Sequence, residues 1–506
     1  MSTYLKKLTC AALLASVVGF ASMAQAAELK IGLDSDPDML DPDQSRTLVG
    51  RIVYTALCDK LVDITPQLEI IPQLATDWAV SDDGLKLYLY IRKNVVFHDG
   101  TPVDAQAVKY NLERSLTLPE SRRRSEVQSI KEIVVTGSHE LEVHLHGPDS
   151  TFLAQLADRS GMMISPAAAK QAGLKFGDAP VCSGPFKFSR RVHQERIVLE
   201  KFQEYWNADS IHLDKITYLP ITDPSVRLGN LASKDLDLIV SLSPTDVPYV
   251  KQNPDLAFMQ SIGLGYQGLT FNVGNGEKSN NDMGQNPVLR EAFSLAINRE
   301  IINQVVFDGL YRSANQPFKP DSPWYDANYP IIEHDEEKAR QLIVAEGFDR
   351  VPVEIIATNS PINQQLVQVI QSMVKRVGFD VSIKSMEFGS LLAAQNQGDY
   401  QAVQIGWSGR IDPDGNLHQF VTCEGGMNES GFCDARVDEY LNAARQTADF
   451  ETRKANYDKA RSILIAQNPL VYLYHQAYLY GLSAKVDGFT PYPDGMIRLE
   501  NVKINP

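Results

Sequence analysis

The chain has 506 residues, 43% of them hydrophobic and 22% charged, with a formal net charge of −15 at pH 7. That length exceeds what one hydrophobic core organises and calls for two or more lobes. The acidic balance excludes nucleic acid as a partner, because phosphates require a basic surface, and suits the solubility of an exported protein.

Export is written at the N-terminus. Lys6 and Lys7 form a short basic region, residues 8–20 are apolar, and Ala24-Gln25-Ala26 fits a small-x-small cleavage site with Ala27 as the new N-terminus. The apolar run is short for a bilayer span, and no long apolar stretch follows it. Cys10 sits too early for lipid attachment, so a free exported protein is expected. Removal of residues 1–26 leaves Cys58, Cys182, Cys423 and Cys433. An even number of cysteines in an oxidising compartment points to disulfides. Cys423 and Cys433 would close a short loop containing Gly425 and Gly426, which leaves Cys58 with Cys182 by elimination. Four cysteines nevertheless allow three connectivities, and the sequence does not choose among them. The absence of a close C-x2-C pair disfavours zinc.

In chain order, 28–33 reads as a first strand. The loop Asp34-Ser35-Asp36-Pro37-Asp38-Met39-Leu40-Asp41-Pro42 follows, its prolines and aspartates forbidding regular structure. Residues 47–57 read as a helix. The stretch 74–115 then presents Trp78 in a polar lead-in, a turn at Ser81-Asp82-Asp83-Gly84, and an alternating strand over 85–92. A second turn, Phe97-His98-Asp99-Gly100-Thr101-Pro102, precedes a helix opened by Asp104, with Ala107, Val108 and Leu112 near helical spacing. Residues 130–135 and 140–146 make a hairpin across Gly137-Ser138. Strands are predicted at 184–188, 197–201, 216–219 and 236–240, with a helix at 228–234. Beyond Phe271 the texture changes. One helix is predicted over 288–305 and another over 336–346, stopped by Gly347. Strands at 353–357, 381–386 and 401–407 then alternate with helices, which argues for an α/β lobe with a largely parallel sheet. Helices at 434–446 and 450–467 precede an apolar strand at 470–475.

Several motifs fail on inspection. Gly263-Leu264-Gly265-Tyr266-Gln267-Gly268 has dinucleotide-site spacing, but the residues after it read as a strand, without the helix that would hold a pyrophosphate. Glycines here suit a backbone that bends between lobes. Asp412-Pro413-Asp414-Gly415-Asn416 opens like a calcium loop, yet Leu417 and Cys423 stand where Gly and Glu are needed. His139, His144 and His146 cluster on the hairpin, with His144 and His146 on one face; an exposed histidine-rich hairpin is favoured over a metal site. Gly406-Trp407-Ser408-Gly409 lacks nucleophile-elbow spacing. Arg122-Arg123-Arg124, flanked by Glu120 and Glu126, reads as a solvated helix face.

The 74–115 block resembles the signature region of the family 5 extracellular solute-binding proteins, the oligopeptide/dipeptide receptors of bacterial ABC importers. The resemblance continues through Gly184-Pro185-Phe186-Lys187-Phe188, Tyr205-Trp206, Asp235-Leu236-Asp237-Leu238-Ile239 and Phe271-Asn272. It extends to Leu289-Arg290-Glu291-Ala292, Ala296-Ile297-Asn298-Arg299-Glu300, and Trp407 with Asp412-Pro413. It implies an α/β, two-lobed periplasmic-binding-protein fold with an extra subdomain inserted in the first lobe. Lobe I would comprise 27–58, 182–267 and 476–506, the insertion 59–181, and lobe II 268–475. The implied protein is a periplasmic monomer that closes on a solute and passes it to ABC permease subunits, with no cofactor, no resident metal and no catalysis. In peptide-binding relatives an extended ligand pairs with strand edges. The matching positions here are Asp34, Ser35 and Asp36 with Gly406, Trp407 and Ser408, while Tyr266, Trp407 and Tyr474 are candidate apolar walls. Those relatives carry, just after the Trp, an acid that pairs with the peptide α-ammonium; the third residue past Trp407 is Arg410. Facing the cleft, Arg410 would favour a carboxylate, and Asp412 or Asp414 would take the amine. Alternatively Arg410 points to solvent or pairs with a neighbouring Asp. The expected solute is small and carboxylate-bearing, a short or modified peptide. A nickel or metallophore receptor of the same fold and a secreted hydrolase are the competing readings.

Overall fold

The computed structural model describes residues 27–505; the basic and apolar leader, with Cys10 and the cleavage site, lies outside the described residues. Three main sheets organise the rest. A seven-stranded sheet runs in the order Leu256–Ile262, Ala477–Ser483, Leu238–Ile239, Glu28–Leu33, Lys215–Pro220, Arg196–Lys201, Phe186–Val192. Its centre, Glu28–Leu33, is parallel to both neighbours. Leu29, Ile31, Leu199, Ile216 and Leu482 bury its inner face against the helix Leu48–Leu57 and the returning residues Ile497, Leu499 and Val502.

Between the first and last parts of this sheet the chain makes a separate four-stranded antiparallel sheet, Ala75–Val80, Lys86–Ile91, Glu140–Leu145, Ile130–Gly137. The alternation over 85–92 does what period two requires: Leu87, Leu89 and Ile91 are buried, and the residues between them face outward. The helix Ala105–Thr117 covers this sheet, and Asp104 caps it by accepting from the Ala107 N–H at 2.8 Å. At the neck of this unit Cys58 is bonded to Cys182. Beside it Asp59 accepts from Trp206 Nε1 (2.6 Å) and Tyr205 O–H (3.1 Å). Of the three possible pairings the structure forms Cys58–Cys182 and Cys423–Cys433.

The third sheet has the order Arg312–Ser313, Leu470–His475, Tyr266–Phe271, Ala402–Trp407, Val351–Thr358, Phe379–Met386. It is mixed rather than largely parallel. Only the two pairings of Val351–Thr358 are parallel, because Tyr266–Phe271 and Leu470–His475 enter and leave from the other sheet and lie antiparallel to their neighbours. The helix expected over 288–305 is two helices, Pro287–Leu295 and Arg299–Phe307. Asn298 ends the continuity: its side chain accepts from the Ile301 N–H at 3.0 Å and starts a new helix. The helices Asp414–Val421, Ala435–Arg445 and Phe450–Gln467 pack around their own core of Leu417, Val437, Leu441 and Tyr457. The chain passes between the two large sheets twice, at residues 263–265 and at Gln476. No helix among the described residues is long and apolar enough to cross a membrane.

Two measurements check this arrangement. Cys58 and Cys182 close a loop with a sequence separation of 124, so Cys58→Ala/Cys182→Ala is expected to lower unfolding stability by about 2–5 kcal/mol in urea titrations. Burial drives the Asp59 carboxyl up to about 7, against hydrogen bonds from Trp206 and Tyr205 that favour the anion. An acid with a raised folded pKa contributes stability that is complete below its unfolded value near 4 and lost as pH rises through about 7. Between pH 5 and 8 the stability difference between Asp59→Asn and wild type should therefore swing in favour of the variant, by on the order of 2–4 kcal/mol.

Candidate ligand cleft between the lobes

A cavity of about 620 Å³ lies between the two large sheets, within the span of about 300–1,000 Å³ typical of small-molecule sites. One wall is the edge of the strand Ala402–Trp407. On its inner side this strand pairs along its whole length with Tyr266–Phe271. On its outer side Val351–Thr358 pairs only with Ala402 and Val403, then turns away into the helix Pro361–Lys375. From Gln404 onward the outer edge has no partner strand among the described residues, and Gln404, Ile405, Gly406, Trp407 and Ser408 all line the cavity. Opposite stand Asp34, Ser35 and Asp36, which continue the central strand Glu28–Leu33 past its last pairing.

Helix N-termini converge on the same space. Thr47 caps Leu48–Leu57 and Ser360 caps Pro361–Lys375, and both line the cavity. Pro224, the first residue of Pro224–Ala232, and Phe388, the first of Phe388–Asn396, do so as well. The hydroxyl caps Thr47 and Ser360 leave the first two ends with a partial positive charge, whereas the carboxylates of Asp223 and Glu387 cap the other two and offset theirs. The charged side chains are mostly committed. Arg46 bridges Glu429 at 3.0 Å across the lobes, and Asp36 holds Arg191 at 2.9 Å. Arg227 donates to the carbonyls of Thr222 (3.0 Å) and Ser241 (2.8 Å). Asp34 and Glu387 are the exceptions, neither having an ion-pair partner among the described residues. Asp34 accepts from the hydroxyls of Ser241 (2.6 Å) and Ser35 (3.1 Å), and Glu387 accepts from the Ser390 N–H (3.0 Å) as a helix cap. Tyr266, Trp407, Tyr472, Met427 and Phe420 form an apolar corner, with Tyr266 edge-on to Tyr472 at 4.8 Å and Trp407 edge-on to Phe420 at 4.9 Å.

The cavity lining thus includes Asp34, Ser35, Asp36, Tyr266, Gly406, Trp407, Ser408 and Tyr474 and leaves out Arg410 and Asp412. Arg410 turns its back on the cavity. Its guanidinium stacks on Trp407 at 4.1 Å from the ring centroid, and its Nε lies 3.2 Å from Asp158, an acid of the inserted unit. Asn416 fixes this turn by accepting from the Trp407 indole (3.1 Å) and the Arg410 N–H (2.8 Å). Asp412 and Asp414 are no free amine acceptors either: Arg453 holds the first at 2.8 Å and Arg445 the second at 2.7 Å, inside the helical core. Sequence reasoning missed Gln404, Asn359, Ser360 and Gln476; Ser360-Pro361 carried the readable signal, an N-cap followed by Pro at the first helical position. The glycine motif at 263–268 runs into the strand Tyr266–Phe271 rather than a helix. His144 is engaged by Glu142 (2.7 Å) and Glu132 (3.3 Å) in the inserted sheet, away from the cavity. Among the described residues no group of three or more His, Cys, Asp or Glu is placed to hold a metal ion.

The lobes are closed on one another. Arg51 Nη1 donates to Ser408 Oγ at 3.0 Å, and Tyr478 O–H donates to the Ser408 carbonyl at 3.0 Å. Residues 69–428 match the profile of the bacterial extracellular solute-binding proteins, family 5. The chain belongs to this family. It is 26% identical over 494 residues to a glutathione-binding protein of Pectobacterium atrosepticum, covering 95% of this chain and 94% of that one. It is also 26% identical over 529 residues to di/tripeptide-binding protein 1 of Pseudomonas aeruginosa, covering 97% and 96%. Among solved structures it resembles the binding protein AgaA from A. tumefaciens in complex with agropinic acid (27% identity, TM-score 0.86, 95% of this chain and 99% of that one). It likewise resembles the periplasmic binding protein DppA of Helicobacter pylori in complex with a peptide (25%, TM-score 0.87, 95% and 99%). Solute-binding proteins of this family are two-lobed, as this chain is.

Closure supplies a test. Tyr478→Phe removes one cross-lobe hydrogen bond, a loss of about 0.5–1.5 kcal/mol. Stopped-flow measurements on the solute that co-purifies are expected to show dissociation about 2- to 10-fold faster, with the association rate within about twofold of wild type.

Proposed function

We propose that the protein is a periplasmic receptor, freed by cleavage of its leader, that captures a short or modified peptide with at least one carboxylate and delivers it unchanged to an ABC permease. The observation that carries this reading is the unpaired outer edge of Gln404–Trp407 along the cavity. An open strand edge offers N–H and C=O groups at the spacing of an extended peptide backbone and reads length rather than side chains. Asp34, lacking an ion-pair partner, supplies the group for an α-ammonium. The helix N-termini at Thr47 and Ser360 supply the field for a carboxylate, the role first expected of Arg410. A volume of about 620 Å³ suits a ligand of a few residues, and the relatives named for glutathione and for di- and tripeptides support that size class. No nucleophile-and-base pair emerges in the lining, so the ligand is expected to leave as it entered.

Mass spectrometry of the solute released by gentle denaturation should return a zwitterionic molecule of peptide size. Calorimetry with a panel of di- and tripeptides should then show binding that Asp34→Asn weakens about 10- to 100-fold, an interaction of about 1.4–2.7 kcal/mol. N-acetylation of the peptide should cost wild type a similar factor and the variant little more. A panel that binds Asp34→Asn as tightly as wild type would remove Asp34 from the site.

A further inference from the structure

Behind the cavity wall formed by Ser408, four arginines meet inside the lobe interface. Arg51, Arg123, Arg159 and Arg410 are 1%, 0%, 1% and 5% exposed. Only two carboxylates face them. Asp158 takes Arg51 and Arg410 and lies 3.7 Å from Arg159, while Glu126 takes Arg123 and the Ser160 hydroxyl. The other nearby acids are matched elsewhere: Asp63 and Asp494 by Lys60 and Arg498, and Glu429 by Arg46. Guanidinium stays charged in proteins, so the excess of two positive charges is not relieved by losing protons. The hydrogen-bond inventory agrees with the charge count. Arg123 Nε and Nη2, Arg159 Nη2, Arg410 Nη2 and Ser125 Oγ are buried and meet no acceptor among the described residues. Arg159 spends its Nη1 on the Ser45 carbonyl at 2.7 Å. Buried charge is tolerated when paired and hydrogen-bonded.

We propose that this arginine cluster is a binding site for one compact anion, a chloride or a carboxylate, distinct from the peptide cleft and completed by Arg410 when the lobes close. Arg51, Arg123 and Arg159 all come from residues of the first lobe and its insertion, and Arg410 comes from the second. The anion therefore binds to the first lobe and draws the second onto it. It neutralises the repulsion among the guanidiniums and accepts from the nitrogens left over.

The probe is chloride, on protein freed of co-purified solute, against isethionate at matched ionic strength, because isethionate is too bulky for a closed site. Wild type should unfold at a midpoint higher by about 2–4 °C in chloride, saturating with concentration. Arg159→Met should lose that response while being no less stable than wild type in isethionate, since it removes one of the excess charges. Arg123→Gln is the second variant, should the first fold poorly. Crystals grown in bromide should show an anomalous peak among Arg123, Arg159 and Arg410. With solute bound, persistence of that peak supports an anion site separate from the peptide cleft. Equal midpoints in the two salts, a full chloride response in both variants, no bromide at the cluster, or its replacement there by a carboxylate of the solute would overturn it. Because the midpoints are read without solute, failure here leaves the peptide reading standing, and failure of that reading leaves the anion site standing.

Discussion

Where the chain passes between its two large sheets there is no room for a side chain, and the rest of the cleft follows from that crowding. A Cβ on Gly265 would lie 1.7 Å from the Trp407 carbonyl, and one on Gly406 would lie 2.3 Å from the Tyr266 carbonyl. Gly409 adopts a φ of +89°, and a Cβ there would lie 2.4 Å from the Gly265 nitrogen. Backbone therefore rests on backbone at the crossing. The consequence is geometric. The open edge of Gln404–Trp407 is anchored at the pivot itself, so rotation of the second lobe moves the edge's far end more than its near end. On the proposed reading, a ligand paired with that edge would already be in place when the lobes meet, and closure would need only to bring Asp34–Asp36 and the helix N-terminus at Thr47 across.

The lobe interface combines an apolar cluster, running from Leu242, Val247 and Val250 to Phe307 and Tyr474, with a chain of buried charge, and the charged part bears on its reversibility. Arg51, Asp158 and Arg410 form a chain of charge across the lobes, with Arg46 and Glu429 alongside. Replacing such groups by packed hydrophobic residues is often neutral or stabilising by about 1–4 kcal/mol, so their presence is not explained by strength. An apolar seam of the same size would favour the closed state with or without solute. Charges that regain water on opening keep the two states close in free energy, and a ligand shifts an equilibrium only by its differential affinity for the two states.

Much of the scaffold was legible because its signals are local. The alternation over 85–92, the cap at Asp104 and the turn at Gly84 each involve residues a few positions apart, and each appears as read, as does the span of the helix Phe450–Gln467. The break at Asn298 was equally local, but a polar N-cap inside an apolar-periodic run looks like an exposed helical position until its partner N–H is seen. The mixed sheet was missed for a different reason. Strand direction is set by where the chain comes from, and two of its strands arrive from another lobe. The misreading of Arg410 is the instructive case. Spacing from Trp407 gave its neighbourhood in sequence, whereas its direction is decided by Asp158 from the inserted unit and by Asn416, which pins the turn. Pairing of an Arg with an Asp was the alternative left open, and no periodicity links the two positions.

The loss of Arg410 from the cavity changes what kind of recognition the cleft performs. A guanidinium facing the ligand would have fixed a carboxylate at one point, bidentately, and so fixed ligand length. Helix N-termini attract the same group through a field that falls off over a turn rather than an ångström. The two such ends with neutral caps, at Thr47 and Ser360, would tolerate a carboxylate at more than one position. Asp34, held by the Ser241 hydroxyl at 2.6 Å, would by contrast be a point contact. On the proposed reading, recognition would be strict at one end of an extended ligand and permissive at the other, with the apolar corner of Tyr266, Trp407, Tyr472 and Met427 open to a side chain by size and shape. That asymmetry is what a receptor needs if its solutes share a free amine and differ in length or modification beyond it.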